Sequence, residues 1–544
     1  MHYSTPDTQR ARDYRAAGYW GDDTITSLIA RCADAEPGHL AVRDNRNGAY
    51  TYGELMGKSA RLAGFFQAQG LSKGDIVTVC MPNWADTVVA FLAILRAGCV
   101  VNPVPVNYGR ADLAYAIGKC QSRALILPDR FRSTDFCTEL SGIDPQLLSG
   151  CTIIMHGGTA PDNVTAWDDA LKSNPIAVDE PVLADDPAAV LLTSGTEAKS
   201  KGAVHSHNTI LFGEGSMAAA LEAGAQDVTF MASPISHTTG FMHGVVLTLT
   251  TGGTLSLLDV FDGAIAVAQM QAHGCTWTMG ATPFLAEISA AMAETGTSLP
   301  MLRYFLCGGA PIPEVLARRA TDMGIRVLSI YGSTESPPHT MVQPDDPVEN
   351  AWISDGRPFP GIEVRIVDAN GQDCPAGEVG EEYSRGPNTF LGYLDDPDLT
   401  HKALDGDGWV HSGDLARMLP DGSLRISGRL KEIIVRGGEN ISLREVEDSL
   451  MAHPSVLRAA AVGVPHPRLG ETGAAVIVLR PGAARPNLAE LVKFLIDKGI
   501  SKFKLPEHLH IWTDLPTNPT GKVQKFIIRQ KLADQAADTR KKTA

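Results

Sequence analysis

Five segments of this chain carry residue types suited to holding a phosphate, a sugar diol or a divalent cation. The first reads Thr193-Ser194-Gly195-Thr196-Glu197-Ala198-Lys199-Ser200-Lys201-Gly202. Hydroxyls, backbone N–H groups beside glycine and two lysines can together cradle a polyphosphate. The segment is not a G-x-x-x-x-G-K-[ST] loop, a pattern absent from the chain, and alone it reads equally well as a polar turn. The second, Tyr331-Gly332-Ser333-Thr334-Glu335, sets a carboxylate beside hydroxyls. That suits Mg2+, which prefers oxygen and usually keeps substrate phosphate as a co-ligand; the plainer alternative is a helix start capped by Ser or Thr. The third, Gly408-Trp409-Val410-His411-Ser412-Gly413-Asp414, offers an aspartate that can accept two hydrogen bonds from a ribose diol, or that merely closes a turn. The fourth is Gly428-Arg429-Leu430-Lys431-Glu432 followed by Arg436-Gly437-Gly438-Glu439-Asn440-Ile441; in isolation it is a charged linker and a hairpin. The fifth, Pro516-Thr517-Asn518-Pro519-Thr520-Gly521-Lys522, presents a lysine on a loop stiffened by proline. Most lysines are solvated surface groups, so this one gains interest only from its setting.

The elements that must carry these segments alternate between short β-rich runs and amphipathic stretches. Strands are expected at 76–80, 99–103, 124–127, 189–192, 254–258, 302–306 and 327–330, with a helix over 84–97 and a Thr51/Glu54 capping box opening another. Such alternation indicates an α/β fold with mainly parallel sheets, in which ligands gather at loops after strand ends. Between 356 and 393, glycine and proline become frequent and the strands look shorter, as in an all-β segment. Beyond a break near 428–431 comes a compact α/β pattern: helices at 443–452 and 488–498, strands at 459–463, 474–479 and 508–513. The expected organisation is a large domain, 1–431, and a small mobile α/β domain, 432–544, with a polar tail from 533 that frays.

Bulk properties narrow the function classes. At 544 residues the chain exceeds what one core usually supports. Its net charge of −15 argues against nucleic acid as a partner. The nine cysteines include no C-x-x-C pair, which fits a reducing compartment. The longest apolar stretch, 88–101, is interrupted by Arg96 and Gly98 and is too short to span a bilayer. A cytoplasmic enzyme without integral membrane association is expected.

The five segments, in this order and spacing, resemble the adenylate-forming superfamily, which includes acyl- and aryl-CoA synthetases. Cys307-Gly308-Gly309-Ala310-Pro311, Gly356-Arg357-Pro358, Gly377-Glu378-Val379-Gly380-Glu381 and His453-Pro454-Ser455-Val456 extend the likeness over nearly the whole chain. The resemblance implies ATP, Mg2+ and coenzyme A as cofactor and co-substrates, with a small carboxylic acid as the partner molecule. It implies that Thr193, Ser194, Gly195, Thr196, Lys199 and Lys201 close over the β- and γ-phosphates. Gly309, Ala310, Pro311 and Tyr331 flank the adenine, with Gly332 and Ser333 in the same loop. Thr334 touches the α-phosphate and Glu335 the metal. Asp414 and Arg429 hold the ribose, and Lys522 reaches the α-phosphate and the acid. Gly437 and Gly438 approach the thiol tunnel after the small domain turns about Lys431. His237, in Pro234-Ile235-Ser236-His237-Thr238-Thr239-Gly240, lines the acyl pocket, as do the stretches 238–244 and 336–342.

The chain also departs from the superfamily's usual phosphate loop, Thr-Ser-Gly-Thr-Thr-Gly-x-Pro-Lys-Gly. Glu197, Ala198 and Ser200 replace Thr, Gly and Pro. Loss of glycine at 198 removes easy access to positive φ, and a carboxylate at 197 repels a triphosphate unless a lysine pairs with it. Segments 193–198, 205–208 and 236–241 are similar to medium-chain acyl- and cyclohexanecarboxylate-type CoA ligases. The expected acid is therefore apolar and of medium size, alicyclic or straight-chain. An aromatic acid, or transfer of the acyl group to a separate carrier protein, is the alternative.

Overall fold

The computed structural model describes residues 3, 8–158, 160–193, 200–309, 312–430, 433–436, 439–466, 470–498, 500, 502–518 and 521–543. Two large sheets form the body of the protein. One has seven strands in the order Lys201–Ser206, Pro187–Thr193, Val100–Pro103, Ile76–Val79, Ala124–Pro128, Thr152–His156 and Thr165–Ala166, parallel apart from the outer hairpin. The other has nine, with six parallel strands at its centre from Val327–Tyr331 through Tyr304–Cys307, Trp277–Gly280, Val228–Met231 and Thr254–Leu257 to Leu40–Asp44. Strands of this kind read as near-continuous apolar runs because both their faces are covered.

The helix Ala85–Arg96 buries every residue except Asp86, since it packs in one apolar core with residues of both sheets, among them Val77, Val101, Met231 and Leu257. Arg96, which interrupts the apolar stretch in the sequence, is paired inside: its Nε meets Asp179 at 2.7 Å and its Nη1 donates to the Met56 carbonyl and Ser59. The capping box at Thr51 and Glu54 forms.

The β-rich segment is a four-stranded antiparallel sheet, Glu363–Val367, Gly380–Arg385, Val410–Met418 and Leu424–Arg429. The smaller C-terminal domain follows. Its sheet carries Glu439–Ser442, Ile433–Arg436, Gly470–Leu479 and Val456–His466, with His508–Trp512 parallel to Gly470–Leu479. Ala475 and Ile477 face a core shared with helices Arg444–Met451 and Leu488–Asp497, while Ala474, Val476 and Val478 face Ile528 and Leu532 of Lys525–Thr543. That period-2 alternation explains why helices cover both faces.

The last helix runs Lys525–Thr543 and takes in the polar tail from 533; its first turns are anchored by Ile528 and Leu532. The turn 332–335 is not a helix start; it runs as irregular backbone after the strand ending at Tyr331. Among the described residues no helix is long and apolar enough to cross a membrane, and the nine cysteines are all free.

Candidate active site

Tyr331 ends a central parallel strand, and its phenol reaches across to the antiparallel sheet. There Asp414 and Arg429 stand opposite one another on neighbouring strands. The Tyr331 hydroxyl donates to Asp414 Oδ2 at 2.8 Å, and Arg429 Nε meets Asp414 Oδ1 at 2.8 Å. Burial, then Asp414 and Glu382, push the Tyr331 phenol well above its ordinary pKa, so it keeps its proton and donates. Asp414 also receives structural help from Ser412, whose Oγ accepts from the Asp414 N–H while donating to the Glu382 carbonyl.

The turn after Tyr331 is fixed from several sides. Ser333 Oγ accepts from the N–H groups of Glu335 and Ser336. A Cβ on Gly332 would stand 3.0 Å from Pro338 Cα and the Ser336 carbonyl oxygen, so the close return of the chain favours glycine there. His205 Nε2 donates to the Thr334 carbonyl at 2.7 Å. Burial pushes the His205 pKa down to about 4, which keeps the ring neutral. Glu335 accepts a 2.6 Å hydrogen bond from Tyr393 at Oε1, and its backbone carbonyl accepts from Phe390. One carboxylate oxygen is thus oriented by a phenol, leaving Oε2 for a cation. A lone carboxylate suits Mg2+, which takes its remaining ligands from phosphate and water.

The base of the expected phosphate loop is a hairpin in which Thr193 pairs with Lys201. Lys201 Nζ lies over the Tyr393 ring, 5.3 Å from its centroid, and the Ser200 carbonyl accepts from Tyr115. Ser194, Gly195, Thr196 and Lys199 lie outside the described residues, as do Glu197 and Ala198, Ala310, Pro311, the proposed pivot Lys431, and Gly437 and Gly438. Gly309 follows the strand Tyr304–Cys307 with φ +77°.

Lys522 comes from the small domain on a loop closed by Asn518. Asn518 Oδ1 accepts from the Lys522 N–H, and the Asn518 N–H donates to the Lys522 carbonyl. Gly521 packs against Pro283 of the large domain, at the start of helix Thr282–Thr295. The Lys522 charge bears on His237: burial, His243 and Lys522, in that order, lower the His237 pKa to about 4. His237 Nδ1 is buried without a hydrogen-bond partner among the described residues, and Phe241 N–H donates to the His237 carbonyl.

From here the chain enters a π-helix, Thr239–Val246, a form often found at functional sites. Its small residues are not open pocket wall on the side a Cβ would occupy. A Cβ on Gly240 would stand 2.3 Å from the Pro234 carbonyl oxygen, and one on Gly244 would meet Met231 at 3.0 Å. Smallness at these two positions serves close packing. Beneath the helix, His243 Nδ1 meets both oxygens of Glu214, at 2.9 and 3.1 Å, in the interior.

Tyr331, Asp414 and Arg429 are therefore joined by direct contacts; Thr334 and Glu335 share the turn that follows Tyr331; the Lys522 charge bears on the neutral His237 ring. Sequence reasoning missed Tyr393 and Glu382, and placed His205 and His339 only within the stretches 205–208 and 336–342. Glu382 sits at a strand position whose neighbours in the alternating pattern, Gly380 and Ser384, face inward.

The chain matches the AMP-binding enzyme family over residues 29–394 and the AMP-binding enzyme C-terminal domain over 445–522. It is 39% identical to the medium-chain fatty-acid–CoA ligase of Escherichia coli (strain K12), across 97% of this chain and 94% of that one. Its fold is similar to ATP-bound MatB from Rhodopseudomonas palustris, with a TM-score of 0.84 and 29% identity over 94% of this chain and 99% of the other. A benzoate CoA ligase from Burkholderia xenovorans LB400 superposes with a TM-score of 0.81 at 26% identity, covering 93% and 100% of the two chains. On these grounds the chain belongs to the AMP-binding enzymes, the adenylate-forming superfamily that contains the acyl-CoA synthetases.

Proposed function

We propose that this protein is an acid–thiol ligase that joins an apolar, medium-sized carboxylic acid, alicyclic or straight-chain, to coenzyme A at the expense of ATP. One observation carries the reading: residues distant in the chain meet, with Tyr331, Asp414 and Arg429 in contact and Lys522 from the second domain bearing on His237. The choice of acid rests on the identity, over nearly the full length, to the medium-chain ligase. The fold shared with the benzoate ligase supports an aromatic acid as the second reading.

In the first step a carboxylate oxygen attacks the α-phosphorus of ATP. The bond from that phosphorus to the bridging oxygen breaks, and pyrophosphate leaves with the electron pair. The barrier is repulsion among anions together with charge gathering on phosphoryl oxygens, so fixed positive groups lower it. Lys522 neutralises the α-phosphate and the incoming carboxylate. Thr193, Lys201 and the loop between them hold the outer phosphates, and Thr334 sits at the α-phosphate. Asp414 and Arg429 take the ribose, while Tyr331 and Gly309–Pro311 border the adenine. Glu335 would hold Mg2+, and the ion would supply positive charge against the phosphates. In the second step the thiol sulfur attacks the acyl carbonyl, the bond to AMP breaks, AMP leaves with the electron pair and the thiol proton passes to solvent. Lys522 cannot occupy the space the thiol needs, so the small domain turns; we place the domain boundary and pivot at residue 431. The free cysteines accord with a cytoplasmic setting.

The test is carboxylate-dependent ATP–pyrophosphate exchange across straight-chain, alicyclic and aromatic acids, followed by product analysis with coenzyme A. Strongest exchange with medium-sized apolar acids, and formation of their CoA thioesters, is the expected result. Exchange confined to aromatic acids favours the second reading. Exchange without any CoA thioester removes coenzyme A as the acceptor.

A further inference from the structure

Below the Tyr331–Asp414 contact lies a second charged pair that the reaction does not use directly. His339 Nε2 and Glu382 Oε1 are 3.2 Å apart, with side chains 1% and 0% exposed. Neither atom completes a hydrogen bond of good geometry among the described residues; against the downward pull of burial, Glu382 raises the His339 pKa, which favours the charged pair. His339 Nδ1 faces the Ser336 carbonyl at 3.0 Å. Both ring nitrogens therefore face acceptors, which suits a doubly protonated ring.

Glu382 lies where the pairing of strands Gly380–Arg385 and Val410–Met418 slips, between Glu381 and Tyr383. Irregularities of this kind re-aim side chains beside active sites. Glu382 Oε2 stands 3.4 Å from the Tyr331 hydroxyl, and the His339 ring packs edge-on against the Tyr331 ring with centroids 4.7 Å apart. The Tyr331 phenol thus sits between two carboxylates, each with its own cation: Asp414 with Arg429, Glu382 with His339. Ser412 ties the same two strands together, from the Glu382 carbonyl to the Asp414 N–H. Replacing a buried ion pair by an apolar pair of similar volume is often neutral for stability, so stability alone does not account for the charges. A charged pair in its place has another use.

We propose that the His339–Glu382 pair is a positioning device for the nucleotide. It holds the Tyr331 phenol and, through it and Ser412, sets the angle at which the Asp414 carboxylate receives the ribose diol. The inference rests on the reading that Asp414 takes the ribose.

The experiment compares wild type, Asp414→Asn and the double variant His339→Met/Glu382→Leu, using ATP and 2′-deoxy-ATP with a fixed acid. Replacing both partners together avoids stranding one buried charge, the change that endangers folding; a thermal melt checks the fold. In the double variant the KM for ATP rises about tenfold while the KM for the acid stays within about twofold, and preference for ATP over 2′-deoxy-ATP falls sharply. A purely structural role would not move that preference. If Asp414→Asn keeps the wild-type preference, the ribose reading fails and this proposal with it. If Asp414→Asn loses the preference while a folded double variant keeps both it and the ATP KM, the positioning role alone is overturned.

Discussion

Lys522→Ala separates the two half-reactions. The loop that carries Lys522 is closed by backbone and Asn518 hydrogen bonds and by the seat of Gly521 on Pro283, none of which uses the lysine side chain. Truncation therefore removes a charge and leaves the loop. Loss of one preorganised contact to a developing phosphoryl charge costs about 10² to 10³ in rate, roughly 2.7–4 kcal/mol, and that is the expected fall in single-turnover acyl-AMP formation. Thioester formation from supplied acyl-AMP and coenzyme A stays within about twofold, because the lysine has withdrawn by then. A second readout comes from His237. Lys522 is the third cause of its lowered pKa, after burial and His243, so removing the lysine recovers only a minor part of the depression. Titration of the His237 ring by NMR, with the small domain docked, should show that small rise. Equal losses in both half-reactions would refute the two-geometry account, and an unmoved His237 titration would refute the bearing of the Lys522 charge on that ring.

Three further outcomes follow from the same geometry. Glu335→Gln should raise the Mg2+ concentration for half-maximal exchange at least about tenfold, and Tyr393→Phe, which removes the hydrogen bond to Oε1, should raise it less; unchanged Mg2+ dependence in Glu335→Gln removes that residue as the ligand. Gly521→Ala forces an L side chain into φ +82° and sets its Cβ 3.2 Å from Pro283, so adenylation should fall about tenfold with thioester formation from acyl-AMP spared. His205 and His207 are buried with pKa values pushed down to about 4 by burial. Their folded-state values lie below the unfolded value near 6.5, so their contribution is intact above about pH 6.5 and is lost as pH falls towards 4, by up to roughly 3 kcal/mol each. Urea unfolding between pH 7.5 and 4.5 should show this slope, and His207→Asn should flatten it; an unaltered slope contradicts the assignment.

The α/β class, the β-rich insertion and the compact C-terminal pattern were legible because short apolar runs, glycine stops and capping boxes are local signals. The run at 84–97 reads as one buried helix from its composition alone, and it is one, at Ala85–Arg96. The docking of Ile528 and Leu532 ahead of the polar tail was not legible, because their partners sit in a distant strand pair. Gly240 and Gly244 fall in a stretch expected to line the acyl pocket; only the neighbouring backbone and Met231 show that a Cβ has no room there.

By itself, the order and spacing of the five segments determined the family, since each keeps its own chemistry. Tertiary structure alone decided which groups meet: that Tyr331 donates to Asp414 from another sheet, that Tyr393 aims Glu335, and that His339 and Glu382 lie together beneath them. These contacts join residues tens of positions apart. Nothing in the local pattern encodes them, because hydrogen-bond partnership across sheets is set by how the sheets pack and not by what stands next in the chain.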